Sequence, residues 1–214
     1  MITIIYVAKY DHHHLYVNGW MEIVDMKVSR EQMKANRQRI LTEAGRLFRE
    51  KGFDAVGVAE VMNAAGLTHG GFYGHFSSKD DLIAQTVGHM FEPTDSKQAE
   101  GADLAAFMDA YLSPRHRQGV AAGCPTAALV ADIRRQGPEA RNALTSGVRA
   151  QIERIGAAIS DKPSPETRRD ATGAWATMVG AVIMARTIDD DALADQILQD
   201  ARDWISSRFE NREG

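Results

Sequence analysis

The 214-residue sequence is poor in several features that mark large classes of protein. Its one cysteine, Cys124, cannot form an internal disulfide, which excludes the small disulfide-stapled secreted domains. No apolar run reaches the roughly 18 residues that a membrane-spanning helix needs. The apolar start, residues 1–8, is interrupted by Lys9 and lacks the flanks of a signal peptide. We therefore expect a cytoplasmic protein without a membrane span.

Motifs of catalysis and of cofactor binding are also missing. The sequence contains no Gly-x-Ser-x-Gly, Walker loop, dinucleotide-binding fingerprint or His-Glu-x-x-His motif. The run His12, His13 and His14 has no partners at the spacing of metal ligands, so a solvated tail or a cloning remnant is the preferred interpretation. We expect no enzyme activity, no cofactor and no bound metal.

Hydrophobic and charged residues make up 44% and 25% of the chain, which is the composition of a globular protein. The net charge of -4 hides an uneven distribution, because residues 27–51 hold eight Lys or Arg against three acidic residues. A basic segment on an acidic body is typical of a modular nucleic-acid binder. A merely solvated helix face would show the same pattern, so the charge alone does not decide.

The apolar spacing predicts helices from about residue 31 onward. Residues 1–25 show no helical period and are expected to be an extended or disordered arm. Gly52 is predicted to end the first helix as a left-handed cap. A short second helix then ends at Gly66, and the hydroxyl of Thr68 could cap a third helix. The second and third helices, joined by the turn at Gly66, predict a helix-turn-helix.

A fourth helix, capped by Ser77 or Ser78, is expected to end at Pro93. Beyond a polar joint we predict a larger helical body, with prolines in the first turns of several helices. The predicted body helices are 102–112, 125–136, 138–160, 165–187 and 190–209. The fold class is all-α, with an arm at 1–30, a helix-turn-helix domain at 31–92 and a helical bundle at 93–214.

The segment between Gly66 and Leu82 carries the most specific chemistry. Phe72 and Phe76 are four residues apart and can face the core together. Gly70 and Gly71 each cost a helix about 1 kcal/mol relative to alanine, which indicates that bare backbone is needed for a close approach, as in a DNA major groove. Lys79 adds a cation at a helix N-terminus, where a phosphate would bind. A helical hairpin with aromatic anchors is the plainer alternative.

From about Arg37 to Val87 the sequence resembles the DNA-binding head of the tetracycline-repressor-like (TetR/AcrR) transcriptional regulators. The resemblance covers about a quarter of the chain, and its pieces are specific only in combination. They are Arg39-Ile40-Leu41, Ala44, Leu47-Phe48, Gly52-Phe53, Val61 to Leu67, Phe72 to Phe76, and Lys79 to Leu82.

The resemblance implies that the recognition helix is Thr68 to His75 and that DNA is contacted through seven positions. These are Thr68, His69, Gly70, Gly71, Tyr73, His75 and Lys79. Arg37 is predicted as a further DNA-binding residue. Tyr73, His75 and Lys79 would bind mainly phosphates, whereas His69 and the glycine pair would lie nearest the bases. His75 as a capping or core histidine remains an alternative. Two departures, Gly57 in place of a hydroxyl residue and Gly74 in place of a second aromatic, put particular phosphate contacts in doubt.

The resemblance also implies that the body forms a homodimer and encloses a small effector. Small residues near the end of the chain would let a pair of helices pack against a second copy, although an intramolecular core is the alternative. The predicted dimer residues are Val179, Val182, Ile183, Ile197, Ala201, Trp204 and Ile205. The predicted pocket residues, which could instead be ordinary packing, are Phe107, Met108, Tyr111, Leu112, Cys124, Leu129, Trp175 and Met178.

These expectations combine into a ligand-responsive regulator. We expect a repressor that binds a pseudo-palindromic double-stranded operator as a homodimer and is released by an apolar or electrophilic small molecule. Cys124 stands before Pro125, so its sulfur would lie at a helix N-terminus, where the dipole favours thiolate, although a small, buried structural cysteine is the plainer alternative. The alternatives are therefore an electrophile sensor acting through Cys124, or a helical enzyme or adaptor that does not bind DNA.

Overall fold

The computed structural model describes residues 13–17, 20–24, 29–92 and 103–210. The chain divides into two compact units, Met1–Gln38 and Arg39–Gly214. Helices dominate the described residues, as the all-α prediction requires. Residues 1–8, Pro93 and the joint that follows it lie outside the described residues.

One antiparallel hairpin in the first unit corrects the expected arm. Strand β1 (His13–Val17) pairs with β2 (Trp20–Val24), with His13 opposite Val24 and Val17 opposite Trp20. The sequence holds a signal for this pairing, because Asn18 and Gly19 stand between the strands and Asn-Gly is the residue pair that most favours a two-residue hairpin loop.

The helices of the amino-terminal half are α1 (Arg30–Ala55), α2 (Val58–Ala64), a 3₁₀ helix (His69–Gly74), hereafter the recognition segment, and α3 (Lys79–His89). Gly52 has the predicted positive φ, 79°, but its ψ of 169° bends the helix, which continues to Ala55. A Cβ at Gly52 would lie 2.9 Å from Asp132 Oδ2, at the end of a side chain that can move, so glycine is required there by its backbone conformation.

The body helices begin where prolines stand in the sequence. They are α4 (Leu104–Tyr111), α5 (Pro114–Gln118), α6 (Pro125–Ile133), α7 (Pro138–Ile159), α8 (Pro165–Thr187) and α9 (Asp191–Glu210), with a 3₁₀ turn at Val120–Ala122. Pro114, Pro125, Pro138 and Pro165 each open a helix, where the missing N–H costs no hydrogen bond. The predicted body helices are confirmed to within a few residues; α5 was not predicted.

Two apolar cores hold the second unit together. The first joins the helices of the amino-terminal half to Leu129, Ile133 and Ala140 from α6 and α7. The second lies among α4, α8 and α9 and includes Cys124 and Ile155. The helix-turn-helix elements are therefore fixed to the body by shared apolar packing.

A close approach between α3 and α7 predicts a stability effect. A Cβ added to Gly147 would lie 2.3 Å from ring atoms of Phe91, whereas one added to Gly156 of the same helix would meet Ala171 and Thr167 at an ordinary 3.8 Å. We expect Gly147→Ala to lower the free energy of unfolding by about 1–3 kcal/mol, because the ring must move to admit the methyl group. Chemical denaturation would measure this.

The matched control is Gly156→Ala, which should leave stability unchanged or raise it by up to about 1 kcal/mol, the helix-propensity gain of alanine. Equal stabilities for the two variants would contradict the contact.

Candidate functional site

The predicted helix-turn-helix begins with a tight turn at the end of α2. Gly66 adopts φ 70°, and the amides of Gly66 and Leu67 donate to the carbonyls of Asn63 at 3.0 Å and Met62 at 2.9 Å. A residue with a side chain is strained at this φ. The turn predicted at Gly66 is confirmed.

The recognition segment departs from prediction in its local geometry. It is 3₁₀-helical, and the Thr68 hydroxyl makes no capping hydrogen bond. The Thr68 carbonyl instead accepts from the Gly71 amide at 3.1 Å. Two consecutive glycines weaken α-helix formation in so short a piece, which is consistent with the tighter i to i+3 bonding seen.

Two aromatic rings anchor the recognition segment from beneath. Phe72 and Phe76 are 1% and 2% exposed, and their rings stack with centroids 5.7 Å apart. Tyr73 meets the Phe72 ring edge-on at 5.2 Å but is 73% exposed. The anchors predicted from the spacing of four are confirmed, and Tyr73 projects from the surface they support.

Neither packing inside the chain nor backbone conformation requires glycine at the three glycine positions of the recognition segment. A Cβ at Gly70 or Gly74 would meet nothing within 4 Å, and one at Gly71 would approach no closer than 3.8 Å, to Met62 Cε. Among the described residues only Gly52 and Gly66 have positive φ. The chain itself could therefore carry alanine at all three positions. Gly88 of α3 also has open space around it, so what sets the recognition segment apart is the presence of three such glycines within six residues.

The start of α3 is capped as predicted. The Ser78 hydroxyl accepts from the Asp81 amide at 3.1 Å, and the Asp81 carboxylate accepts from the Ser77 amide at 2.9 Å. Lys79 lies in the first turn, half-buried, and forms no ion pair with any residue in the described ranges. Its ammonium group remains available to an external anion.

The structure places most of the predicted DNA contacts together on this face. Thr68, His69, Gly70 and Tyr73 are exposed, and Gly71, His75 and Lys79 are half-buried. The His75 ring lies 6.4 Å from that of Phe76. Arg37 lies in α1 within the first unit. The exposed Gly74 was not among the predicted contacts, although it is the third glycine of the same short segment.

The predicted pocket residues mostly share the second core. Met108, Tyr111, Leu112, Cys124, Trp175 and Met178 are buried in it, with Phe107 packed against it. The Tyr111 ring lies 5.3 Å from that of Trp175 and 5.8 Å from that of Phe107. Leu129 needs correction: it packs in the first core, because it faces the helix-turn-helix elements from α6.

Cys124 stands at the N-cap of α6, before Pro125, and is 9% exposed. Its amide donates to His116 Nε2 at 3.1 Å, so the other ring nitrogen, Nδ1, carries the proton donated to the Tyr111 carbonyl at 2.7 Å. Burial lowers the pKa of His116, which agrees with this neutral tautomer.

Two arginines that sequence reasoning missed converge on the same region. Arg49 of α1 donates through Nε to the Ala121 carbonyl at 2.6 Å. Arg186 of α8 donates through Nε to the Arg117 carbonyl at 3.0 Å and through Nη2 to the His116 carbonyl at 2.7 Å. Cys124 lies within electrostatic range of both guanidinium groups. The only sequence signal was an arginine within the otherwise apolar run of α8.

The predicted dimer residues divide between interior and surface. Val182 and Ile205 are 0% and 1% exposed, and Ala201 is also buried. These three side chains pack in the chain's own core, so their prediction as dimer-surface residues is corrected. Val179, Ile183 and Ile197 are half-buried. Trp204 is exposed beneath the Arg208 guanidinium, 5.3 Å from the ring centroid.

Met184 and Leu193 add exposed apolar surface on α8 and α9. An open groove of about 310 Å³ adjoins Trp204 between Arg169, Gly173 and Phe209, away from the predicted pocket residues. The described helices include none long and apolar enough to cross a membrane. Among those residues no group of histidine, cysteine and acidic side chains could hold a metal ion.

Sequence profiles of two protein families match the chain. That of the bacterial regulatory proteins of the tetR family matches residues 40–86, and that of the tetracyclin repressor-like C-terminal domain matches residues 102–201. The first contains the turn, the recognition segment and the start of α3. Together the two matches take in more than half of the chain.

Individual relatives support both halves. The HTH-type transcriptional regulator AcrR of Shigella flexneri is 37% identical over 57 residues, 27% of this chain and 26% of that protein. An uncharacterised HTH-type transcriptional regulator of Mycobacterium tuberculosis is 26% identical over 84% of this chain and 99% of its own length. The HTH-type transcriptional repressor NemR of Escherichia coli is 25% identical over 58% of this chain and 67% of its own.

Solved structures share the fold. The reduced form of E. coli NemR superposes with a TM-score of 0.67 at 20% identity, over 81% of this chain and 96% of that one. A TetR transcriptional regulator of Chloroflexus aurantiacus superposes with a TM-score of 0.66 at 24% identity, over 82% of this chain and 96% of that one.

Proposed function

Since the chain belongs to the TetR family of bacterial transcriptional regulators, we propose that it is a ligand-responsive repressor. It binds a pseudo-palindromic operator as a homodimer through residues 31–92 and is released by a small molecule bound in residues 93–214. The observation that carries the proposal is the recognition segment, whose outer face bears glycines that nothing inside the chain requires. The proposal places the protein in the cytoplasm and assigns it no catalysis.

On this proposal the surface of the recognition segment enters the major groove. Bare backbone at Gly70 and Gly71 brings the segment against the base edges, with His69 beside it. Tyr73, His75 and Lys79 contact phosphates and fix the orientation of the head. Arg37 adds a contact from α1.

Dimerisation uses α8 and α9. A two-fold operator requires two recognition segments related by a two-fold axis, and the exposed apolar side chains of Trp204, Met184 and Leu193 offer a self-complementary surface. Val179, Ile183 and Ile197, being half-buried, complete the surface at its inner edge. The groove beside Trp204 would be covered by the second copy.

Release follows from a shift in population. An effector bound among α4, α6 and α8 favours a spacing of the two heads that no longer matches the operator, and DNA affinity falls by the difference in its affinity for the two conformations. The shared packing of the first core, including Phe91 against Gly147, provides the path from body to head.

A thiol sensor is the second candidate. Arg49 and Arg186 lie within electrostatic range of Cys124, whose sulfur stands at the N-cap of α6. Modification of the sulfur by an electrophile would then replace reversible effector binding as the signal for release.

Lys79 provides the first test of DNA binding. Each phosphate contact made by a cation releases counterions, so we expect Lys79→Met to make the slope of log K against log salt less negative by about one per contact, or about two for the dimer. The measurement is a mobility shift at several salt concentrations, with a duplex that the protein itself selects from a random-sequence library.

The matched control is Lys162→Met, which removes the same charge from an exposed position in the body and should leave the slope unchanged. Equal slopes for Lys79→Met and the unmodified protein would exclude Lys79 as a phosphate ligand. The absence of any selected duplex would contradict the proposed function itself.

A further inference from the structure

Two buried polar atoms near Cys124 lack a good hydrogen-bond partner within the described residues. The Tyr111 hydroxyl, on a side chain that is 7% exposed, has only the Cys124 thiol beside it as a weak partner. Arg186 Nη1 is likewise buried and unpartnered, while its Nε and Nη2 are held by carbonyls. A buried donor without an acceptor costs about 1–3 kcal/mol, and more for a charged group, so two together indicate a missing acceptor.

The same region has cations without counter-charges. Neither Arg49 nor Arg186 forms an ion pair with an acidic side chain in the described ranges; both are anchored to backbone carbonyls alone. Burial lowers the pKa of each guanidinium, because it disfavours the charged form. Buried cations in proteins are usually paired with an acidic side chain, so two half-buried arginines without such a partner are unusual.

The neighbouring side chains set the character of the occupant. The Tyr111 ring contacts Trp175 and Phe107, and Met108 and Met178 belong to the same core. Such an environment suits an apolar group, whereas the arginines and the tyrosine hydroxyl suit an anionic oxygen.

We propose that Arg49, Tyr111 and Arg186 form the binding site for the carboxylate of a small organic acid, and that this acid is the effector. The carboxylate accepts from Arg186 Nη1 and from the Tyr111 hydroxyl, with Arg49 supplying the second positive charge. This inference rests on the proposed function, for which it names the class of ligand.

The site also explains how binding of the ligand in the body can affect the DNA-binding face. Arg49 belongs to α1, which packs with α2 and the recognition segment in the first core, whereas Arg186 belongs to α8 of the body. An anion bound by both would change the contacts between these helices. Binding energy at the carboxylate is thereby converted into a displacement of the head.

The test uses acetate, propionate and benzoate as sodium salts, each beside its uncharged amide and beside sodium chloride at equal ionic strength. We expect at least one acid to raise the melting temperature of the full chain and to release the selected duplex, and its amide to do neither. Inorganic phosphate serves as a further arm.

Tyr111→Phe is the decisive variant, because it removes only the poorly hydrogen-bonded Tyr111 hydroxyl and should leave the unliganded protein equally stable or more stable. We expect it to weaken binding of the acid about tenfold, the loss of one hydrogen bond to a charged group. Arg186→Met should abolish the binding, and Arg149→Met, which removes an exposed arginine of α7, should leave it intact.

Several results would overturn the inference. These are stabilisation by no acid, equal stabilisation by acid and amide, unchanged affinity in Tyr111→Phe, or stabilisation by phosphate alone. Release of DNA by N-ethylmaleimide but by no acid, lost in Cys124→Ser, would instead favour the thiol sensor. Because DNA binding without any acid is measured separately, failure of the carboxylate site and failure of the proposed repressor are distinguishable.

Discussion

Gly70→Leu is expected to weaken operator binding by about two to four orders of magnitude while leaving the fold intact. A Cβ at this position meets nothing within 4 Å inside the protein, and the backbone there has no positive φ. Leucine should therefore leave the free energy of unfolding unchanged or raise it by up to about 1 kcal/mol through helix propensity. The loss arises only outside the chain, where the side chain holds the segment away from the groove.

The size of the effect follows from the dimer. A lost or blocked base contact costs about 1–3 kcal/mol, and the two-fold operator meets the substitution twice, which gives about 2–6 kcal/mol. Mobility shift with the selected duplex measures the affinity, and urea denaturation measures stability.

Gly88→Leu is the matched control for this prediction. Gly88 also has open space around its Cβ position, but it lies near the end of α3, away from the predicted contacts. Unimpaired DNA binding in Gly70→Leu, or an equal loss in Gly88→Leu, would show that the recognition segment does not approach DNA as proposed.

Local sequence signals predicted the helices well because their causes are local. Proline at the first position and a hydroxyl cap such as Ser78 act within one turn of backbone, so the residues that fix a helix start are adjacent to it. The spacing of Phe72 and Phe76 likewise places both rings on one face. The same reasoning failed at Thr68, since its capping role presumed an α-helix and the glycine pair forms a 3₁₀ helix instead.

Contacts between distant segments were not predictable in the same way. Arg49 reaches the Ala121 carbonyl 72 residues away, and Arg186 reaches Arg117 across 69. Sequence periodicity does not predict contacts between such distant residues, so only the structure reveals the two arginines beside Cys124. Leu129 was misplaced for the same reason, because its helix faces both cores.

The dimer surface illustrates a further limit of periodicity. Apolar periodicity in α8 and α9 predicts that Val182 and Ile205 lie at the interface, but both side chains are interior. An amphipathic helix turns its most apolar face toward its own core, so the interface must be sought among the apolar residues left over. Trp204, Met184 and Leu193 are such residues.

Phe72→Ala is expected to have the largest effect on stability, lowering the free energy of unfolding by about 3–5 kcal/mol. Phe72 is 1% exposed, and its ring packs on those of Phe76 and Tyr73, so truncation leaves a cavity directly beneath the recognition segment. Both stability and operator affinity should fall.

Tyr73, the neighbour of Phe72, separates the anchoring role of the recognition segment from its DNA-contacting role. Tyr73 is 73% exposed, so Tyr73→Ala should cost no more than about 1.5 kcal/mol, the worth of its edge-on contact with Phe72, while weakening operator binding through loss of a phosphate contact. Urea denaturation and mobility shift on both variants give the comparison. If Tyr73→Ala bound the operator normally, or Phe72→Ala were as stable as the unmodified protein, the division into an inner anchoring face and an outer DNA-contacting face would be wrong.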